Sequence, residues 1–174
     1  MSNAFTYQVM KDTTEHAVIK LTGFFDGSNG QEANAVRIAA NTLYGALDSS
    51  KANLLSSTAN TGPLSYYGLS IHRIWYDCAT DGDVELYWNA STTQTIMHLN
   101  GNGEYDGAGN WITIPNVTAG ASGSKGDIGI LTRGMIANSS YTIIMEIRKD
   151  NQHFQRGQFN DPAAFNYTPY NIRP

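Results

Sequence analysis

The sequence predicts an all-β fold: a single antiparallel β-sandwich, jelly-roll-like, with an extended C-terminal tail. Three observations predict it. Short apolar runs alternate with period 2, as in "SSYTIIMEIRKD", where Tyr141, Ile143, Met145 and Ile147 share one face and Thr142, Glu146 and Arg148 the other. Gly accounts for 17 of the 174 residues, and Asn, Ser and Thr punctuate the runs, as tight turns demand. Charged residues make up 15% of the chain, below the roughly 25% of an average domain, while the 41% hydrophobic content is that of a globular protein. A chain of this length suits one domain able to bury roughly two thirds of its unfolded surface.

The elements follow in chain order. "FTYQVMKD" and "HAVIKLTGFF" read as two strands around the polar turn Asp12–Glu15, and "DGSNGQE" from Asp26 to Glu32 reads as a loop. "ANAVRIAANTLYGAL" fits both periods; a short strand over 35–41 and a turn or helical piece over 42–48 reconcile them. Residues 49–65 form a long polar loop, of the kind that is functional or mobile in compact domains. Strands over 69–79 and 83–90 flank "TDG", a hairpin signal. A third strand spans 93–101, a Gly/Asn loop "NGNGEYDGAGN" follows, and "NWITIP" over 110–115 is a short strand that Pro115 ends. After the connector "NVTAGASGSKG", strands over 127–133 and 139–150 bring the number to about nine. Long connections between hairpins suit a Greek-key sandwich. Its core takes Ile19, Leu21, Ile71 or Ile74, Leu86, Trp88, Met97, Leu99, Ile130, Ile143 and Met145. Residues 1–150 thus form one β-sandwich domain, and 151–174, which carry no period, an extended arm.

Chemistry-bearing patterns are sparse. Net charge is −4 and no basic run occurs, so nucleic acid is not an expected partner. The N-terminal residues lack a basic region followed by an apolar run, and no apolar stretch approaches a membrane span, so neither a signal peptide nor a membrane helix is expected. The N-x-S/T matches at Asn89, Asn116, Asn138 and Asn166 then carry no meaning. Cys78, the single cysteine, excludes an intrachain disulfide and reads as a small core residue. Phosphate-loop and serine-elbow motifs are absent. His16, His72, His98 and His153 lack metal-ligand spacing; His72 and His98 read as exposed strand residues that could meet across a sheet. Glu85, Glu104 and Asp106 are the clustered carboxylates, two of them in a Gly loop, and do not make a persuasive glycosidase pair. Asp26, Ser28, Gly30 and Glu32, like Asn100, Asn102, Glu104 and Asp106, alternate as calcium ligands do, yet neither stretch supplies the full loop, and turn chemistry explains both. No cofactor, metal or enzyme activity is expected. Trp75, Trp88 and Trp111, with Tyr66, Tyr67, Tyr76 and Tyr87, concentrate in the central strands; alternation places about half in the core, and the rest offer a platform on which a sugar ring stacks.

"LYWNASTTQTIMHLNGNGEYDGAG" and "KGDIGILTRGMIANSSYTIIMEIRKD" carry a resemblance. The cues are the strand start Gly126-Asp127-Ile128, the closing strand Tyr141 to Ile144 ending in Lys149, and the loop Leu99-Asn100-Gly101-Asn102-Gly103. Together they resemble the small β-sandwich virion proteins of marine tailed phages, over about residues 69–150 and more loosely 15–48. The resemblance implies a virion structural protein, a capsid decoration or cement subunit bound to the major capsid protein or neighbouring subunits, homo-oligomeric on the capsid surface and made in the host cytoplasm. The alternatives are a carbohydrate- or receptor-binding module of a virion or tail, and an enzyme whose site is unrecognised. In the arm, Phe154, Phe159, Phe165, Tyr167 and Tyr170 are too aromatic for a solvated spacer, and Pro162, Pro169 and Pro174 prevent a regular helix or central strand. The arm either folds back over its own sandwich or docks on a neighbour through these rings and Arg156.

Overall fold

A computed structural model describes residues 3–27, 30–33, 35–46, 68–107, 112–118, 122–124 and 126–149. Ten strands run through them: β1 Ala4–Asp12, β2 His16–Phe24, β3 Ala35–Ile38, β4 Leu69–Cys78, β5 Asp83–Trp88, β6 Gln94–Leu99, β7 Gly101–Tyr105, β8 Ile114–Pro115, β9 Ile128–Arg133 and β10 Ser140–Lys149. A 3-10 turn over Ala40–Thr42 follows β3. All pairings are antiparallel. One sheet has the order β1-β2-β10-β4-β7, with the short β8 also on β4; the other has the order β3-β9-β5-β6. The chain is an all-β sandwich.

Two folded ribbons build it. β4 pairs with β7 in the six-stranded sheet, and their continuations β5 and β6 pair in the four-stranded one. Likewise β2 pairs with β10, and β3 with β9. The "TDG" turn is therefore not a hairpin: β4 and β5 never pair, because β4 keeps its edges for β10 and β7 and β5 keeps its own for β9 and β6. The turn carries the chain between sheets instead. The second arm of the ribbon crosses back beside it, at Asn100, whose side-chain amide donates to the Gly82 carbonyl. Gly101 follows with φ +67°, a left-handed turn that favours glycine.

The core is the inward row of each sheet. Ile19, Leu21, Leu86, Trp88, Leu99, Ile130, Ile143 and Met145 are buried as the alternation predicts, and the closing strand has the predicted register. Both Ile71 and Ile74 are buried, because a bulge at His72 inserts a residue between them and restores the inward phase. Met97 is only partly buried at the margin of the core.

Several boundaries differ from expectation. The Gly/Asn loop contains β7; its composition hides a strand whose backbone is held by pairing along β4. The predicted strand 35–41 ends at Ile38, and helical turning begins at Ala40, earlier than 42–48. Of "NWITIP", Ile114 and Pro115 form the strand, and 110–111 lie outside the described residues.

Three tyrosines lie over glycines directly across the ladder: Tyr141 over Gly23, Tyr76 over Gly103 and Tyr87 over Gly129. In each pair the missing Cβ makes room for the ring, so these strand glycines serve packing.

Candidate functional site

The aromatic arm residues Phe154, Arg156, Phe159, Phe165, Tyr167 and Tyr170 lie outside the described residues, as do Tyr66, Tyr67, Trp111 and Ser28.

The resembling motifs do architectural work. Gly126 takes φ +82°, Asp127 is buried with Oδ1 accepting the Ala40 N–H at 2.9 Å, and Ile128 starts β9. The carboxylate thereby holds the first N–H of the 3-10 turn. In the Leu99–Gly103 stretch, Leu99 ends β6 in the core, Asn100 and Gly101 change sheets, and Gly103 receives Tyr76.

Gln31 and Glu32, which the sequence places at the end of the loop Asp26–Glu32, form a clamp. Glu32 is buried, accepting the Tyr141 hydroxyl on Oε2 at 2.6 Å and Arg37 Nε on Oε1 at 2.6 Å. Arg37 in turn covers the Phe5 ring, 4.6 Å from its centroid. Burial and the adjacent Glu32 charge push the Tyr141 phenol well above its usual range. Gln31 pairs with the Met135 backbone in both directions, at 2.7 and 3.0 Å. One ion pair thus joins the two sheets through Tyr141 of β10 and Arg37 of β3.

Other candidates separate. His72 is buried on β4, with Nδ1 3.4 Å from Glu146, and is not the exposed strand residue expected; the bulge turns it from the outward row. His98 is exposed on β6 in the other sheet, 2.9 Å from Asp83, so the two histidines do not meet. Glu85 also belongs to the four-stranded sheet, whereas Glu104 is on β7 of the other, so these carboxylates share no cleft. Glu85 accepts Thr95 at 2.5 Å and Arg133 at 2.7 Å, and these bonds, Thr95 first, hold its carboxyl below the usual range. Cys78 is a buried core residue; burial first, then Asp77 and Asp83, pushes its thiol up to about 12. Among the described residues no three His, Cys, Asp or Glu side chains gather to hold a metal, and no helix is long and apolar enough to cross a membrane.

Two surfaces remain. The first is the β1 edge of the six-stranded sheet, where β1 pairs with β2 alone among the described strands. β1 is exposed along nearly all its length, with no charge, Pro or Gly from Ala4 to Val9. Phe5, Tyr7 and Val9 oppose Gly23, Leu21 and Ile19, so they continue the inward row. Yet Tyr7 and Val9 are 42% and 43% exposed, and Met10 54%. The second is a groove of about 590 Å³ on the outward face of the same sheet, lined by Trp75, Asp77, Asn102, Glu104, Thr142 and Ile144, with the backbone of Tyr76 and Gly103 between them. The sequence pointed to Trp75 as an aromatic, whereas Trp88 and Tyr87, its companions in that pattern, are buried. No family model, no curated protein and no solved structure matches the chain significantly.

Proposed function

We propose that this chain is a structural protein of a tailed-phage virion, a decoration or cement subunit that sits on the capsid and contacts the major capsid protein or its own copies. The observation that carries the reading is β1. An edge strand of this length normally bears charges or Pro that block pairing with another chain. Here Lys11, Asp12 and the bulge between Val9 and Lys11 guard one end, and the six residues before them are uncharged, with Tyr7 and Val9 left half covered. Such a strand is suited to burial against a neighbour in an assembly. The resemblance of Gly126-Asp127-Ile128, Leu99–Gly103 and the closing strand to marine phage virion proteins supplies the class. The order β2-β10-β4-β7 over β3-β9-β5-β6, two nested folded ribbons, supports the jelly-roll reading, an architecture that capsid and lectin domains use. That last step is analogy from fold.

The test is copy number and attachment. Mass spectrometry of purified virions should find this chain in hundreds of copies, and the purified protein should co-sediment with empty capsids. Val9→Lys and Tyr7→Lys, placed on exposed positions, should abolish attachment while leaving the melting temperature within a few degrees. A chain truncated after Asp150 should stay folded and fail to attach if the aromatic arm is the second contact. Absence from virions, or attachment unaffected by both lysines and by truncation, would overturn the reading.

A further inference from the structure

We propose that the groove on the outward face of β10, β4 and β7 is a saccharide-binding site for a neutral hexopyranose unit of a glycan. This goes beyond the virion reading and is tested separately from it.

The register builds the site. Trp75 stands between Ile144 of β10 and Glu104 of β7, and one row along Asp77 stands between Thr142 and Asn102. All six alternate with inward core residues, so their side chains project from one face. The floor is therefore one indole and one aliphatic side chain, both half-buried, and the rim is two carboxylates, an amide and a hydroxyl. A pyranose ring presents the same two chemistries: a face of C–H groups that packs on an indole, and a perimeter of hydroxyls that are donors and acceptors.

The hydrogen-bonding capacity of the rim is unspent. Asp77, Asn102 and Glu104 are exposed, and among the described residues none of their side chains is held in an ion pair or hydrogen bond. A carboxylate accepts from two adjacent hydroxyls, and such charge-assisted bonds are the strong ones. Asn102 both donates and accepts. The volume lies within the range of small-ligand sites.

Charge selects the sugar. Asp77 and Glu104 flank the indole, and the whole chain carries −4, so uronic acids, sialic acids and phosphorylated sugars are repelled. The floor is also too small for a hydrophobic peptide anchor: apart from Trp75 and Ile144 its lining side chains are polar. Trp75 stands on the outward face, and its inward chain neighbours Ile74 and Tyr76 pack in or against the core without it.

The experiment uses the full chain. Saturation-transfer NMR and calorimetry are run with cellohexaose, maltohexaose and mannohexaose, and with hexagalacturonate and sialyllactose as anionic comparators. At least one neutral oligosaccharide should bind with a Kd on the order of 1 mM, as an open groove with one stacked ring allows. Trp75→Ala should weaken it about tenfold or more, the loss of one aromatic stack. Glu104→Gln and Asn102→Ala, both at exposed positions, should weaken it severalfold with an unchanged melt, which separates binding from folding should Trp75→Ala not fold. The anionic sugars should not compete. Absence of binding by every neutral sugar at tenfold higher concentration overturns the proposal. So does binding that survives the Glu104 and Asn102 changes together, or tighter binding of an anionic sugar. Loss of capsid attachment in these variants without any sugar binding would assign the groove to a subunit contact and also overturn it.

Discussion

Gly23→Ala isolates one packing relation and should be strongly destabilising. A Cβ at Gly23 would lie 2.6 Å from Tyr141 Cζ and 2.9 Å from Cδ1, with Cε1 closer still. Gly23 does not occupy the left-handed region, so the backbone accepts alanine and the penalty is steric. Tyr141 is 2% exposed and cannot move freely. Its ring packs on Phe25 at 6.4 Å, and its hydroxyl donates to buried Glu32 at 2.6 Å. To clear the methyl group, the ring must swing by about an ångström, which overpacks the core at about 1–3 kcal/mol. The same swing breaks a hydrogen bond to a charged group, about 1.5–3 kcal/mol. The entropy of removing a glycine returns roughly 0.4–1 kcal/mol. The net is about 3 kcal/mol, or a fall of roughly 6–12 °C in melting temperature for a domain of this size. Urea unfolding in a double-mutant cycle with Tyr141→Val checks it. In the valine background, where the ring is gone, Gly23→Ala should be nearly neutral, giving a coupling of about 2 kcal/mol or more. Equal cost in both backgrounds would refute the steric account.

Further outcomes follow from the same contacts. Gly103→Ala should be far milder than Gly23→Ala or Gly129→Ala, because its nearest atom is the Tyr76 hydroxyl at the end of a half-buried side chain; thermal melts of the three variants should rank accordingly. Lys149 is buried, with Nζ on the Asp12 carboxylate and on the Thr13 and Tyr44 carbonyls at 2.7 and 2.8 Å. Lys149→Met should cost about 3–5 kcal/mol by urea titration, and adding Asp12→Asn should recover part of it. Glu85, held below its ordinary value of 4.5, contributes stability that is present above that value and lost as the pH falls through it toward the folded one; Glu85→Gln should flatten the acid limb of a melting-temperature profile. Cys78, buried with its thiol raised to about 12, should react with Ellman's reagent at pH 8 only at the rate of unfolding, and immediate reaction of the native protein would place it outside the core.

The sequence by itself determined the fold class and the inward rows, because alternation is a local property. Tyr141, Ile143 and Met145 need only their own strand to declare which face is buried. It also marked the architectural motifs, although not their tasks: nothing local says that Asp127 holds the N–H of Ala40, 87 positions away, or that Glu32 joins Arg37 and Tyr141. Tertiary structure decided which strands are partners. "TDG" satisfies every local requirement of a hairpin and still changes sheets, since pairing depends on which edges β10 and β9 occupy. It decided that a Gly/Asn run is a strand, by offering it the β4 edge and Tyr76 to cover Gly103. It also sorted the aromatics, burying Tyr87 and Trp88 while leaving Trp75 on an open face. Pattern fixes a residue's side of its own strand. Whether that side meets a second sheet or solvent is set by chain segments far away, and so only the folded molecule shows it.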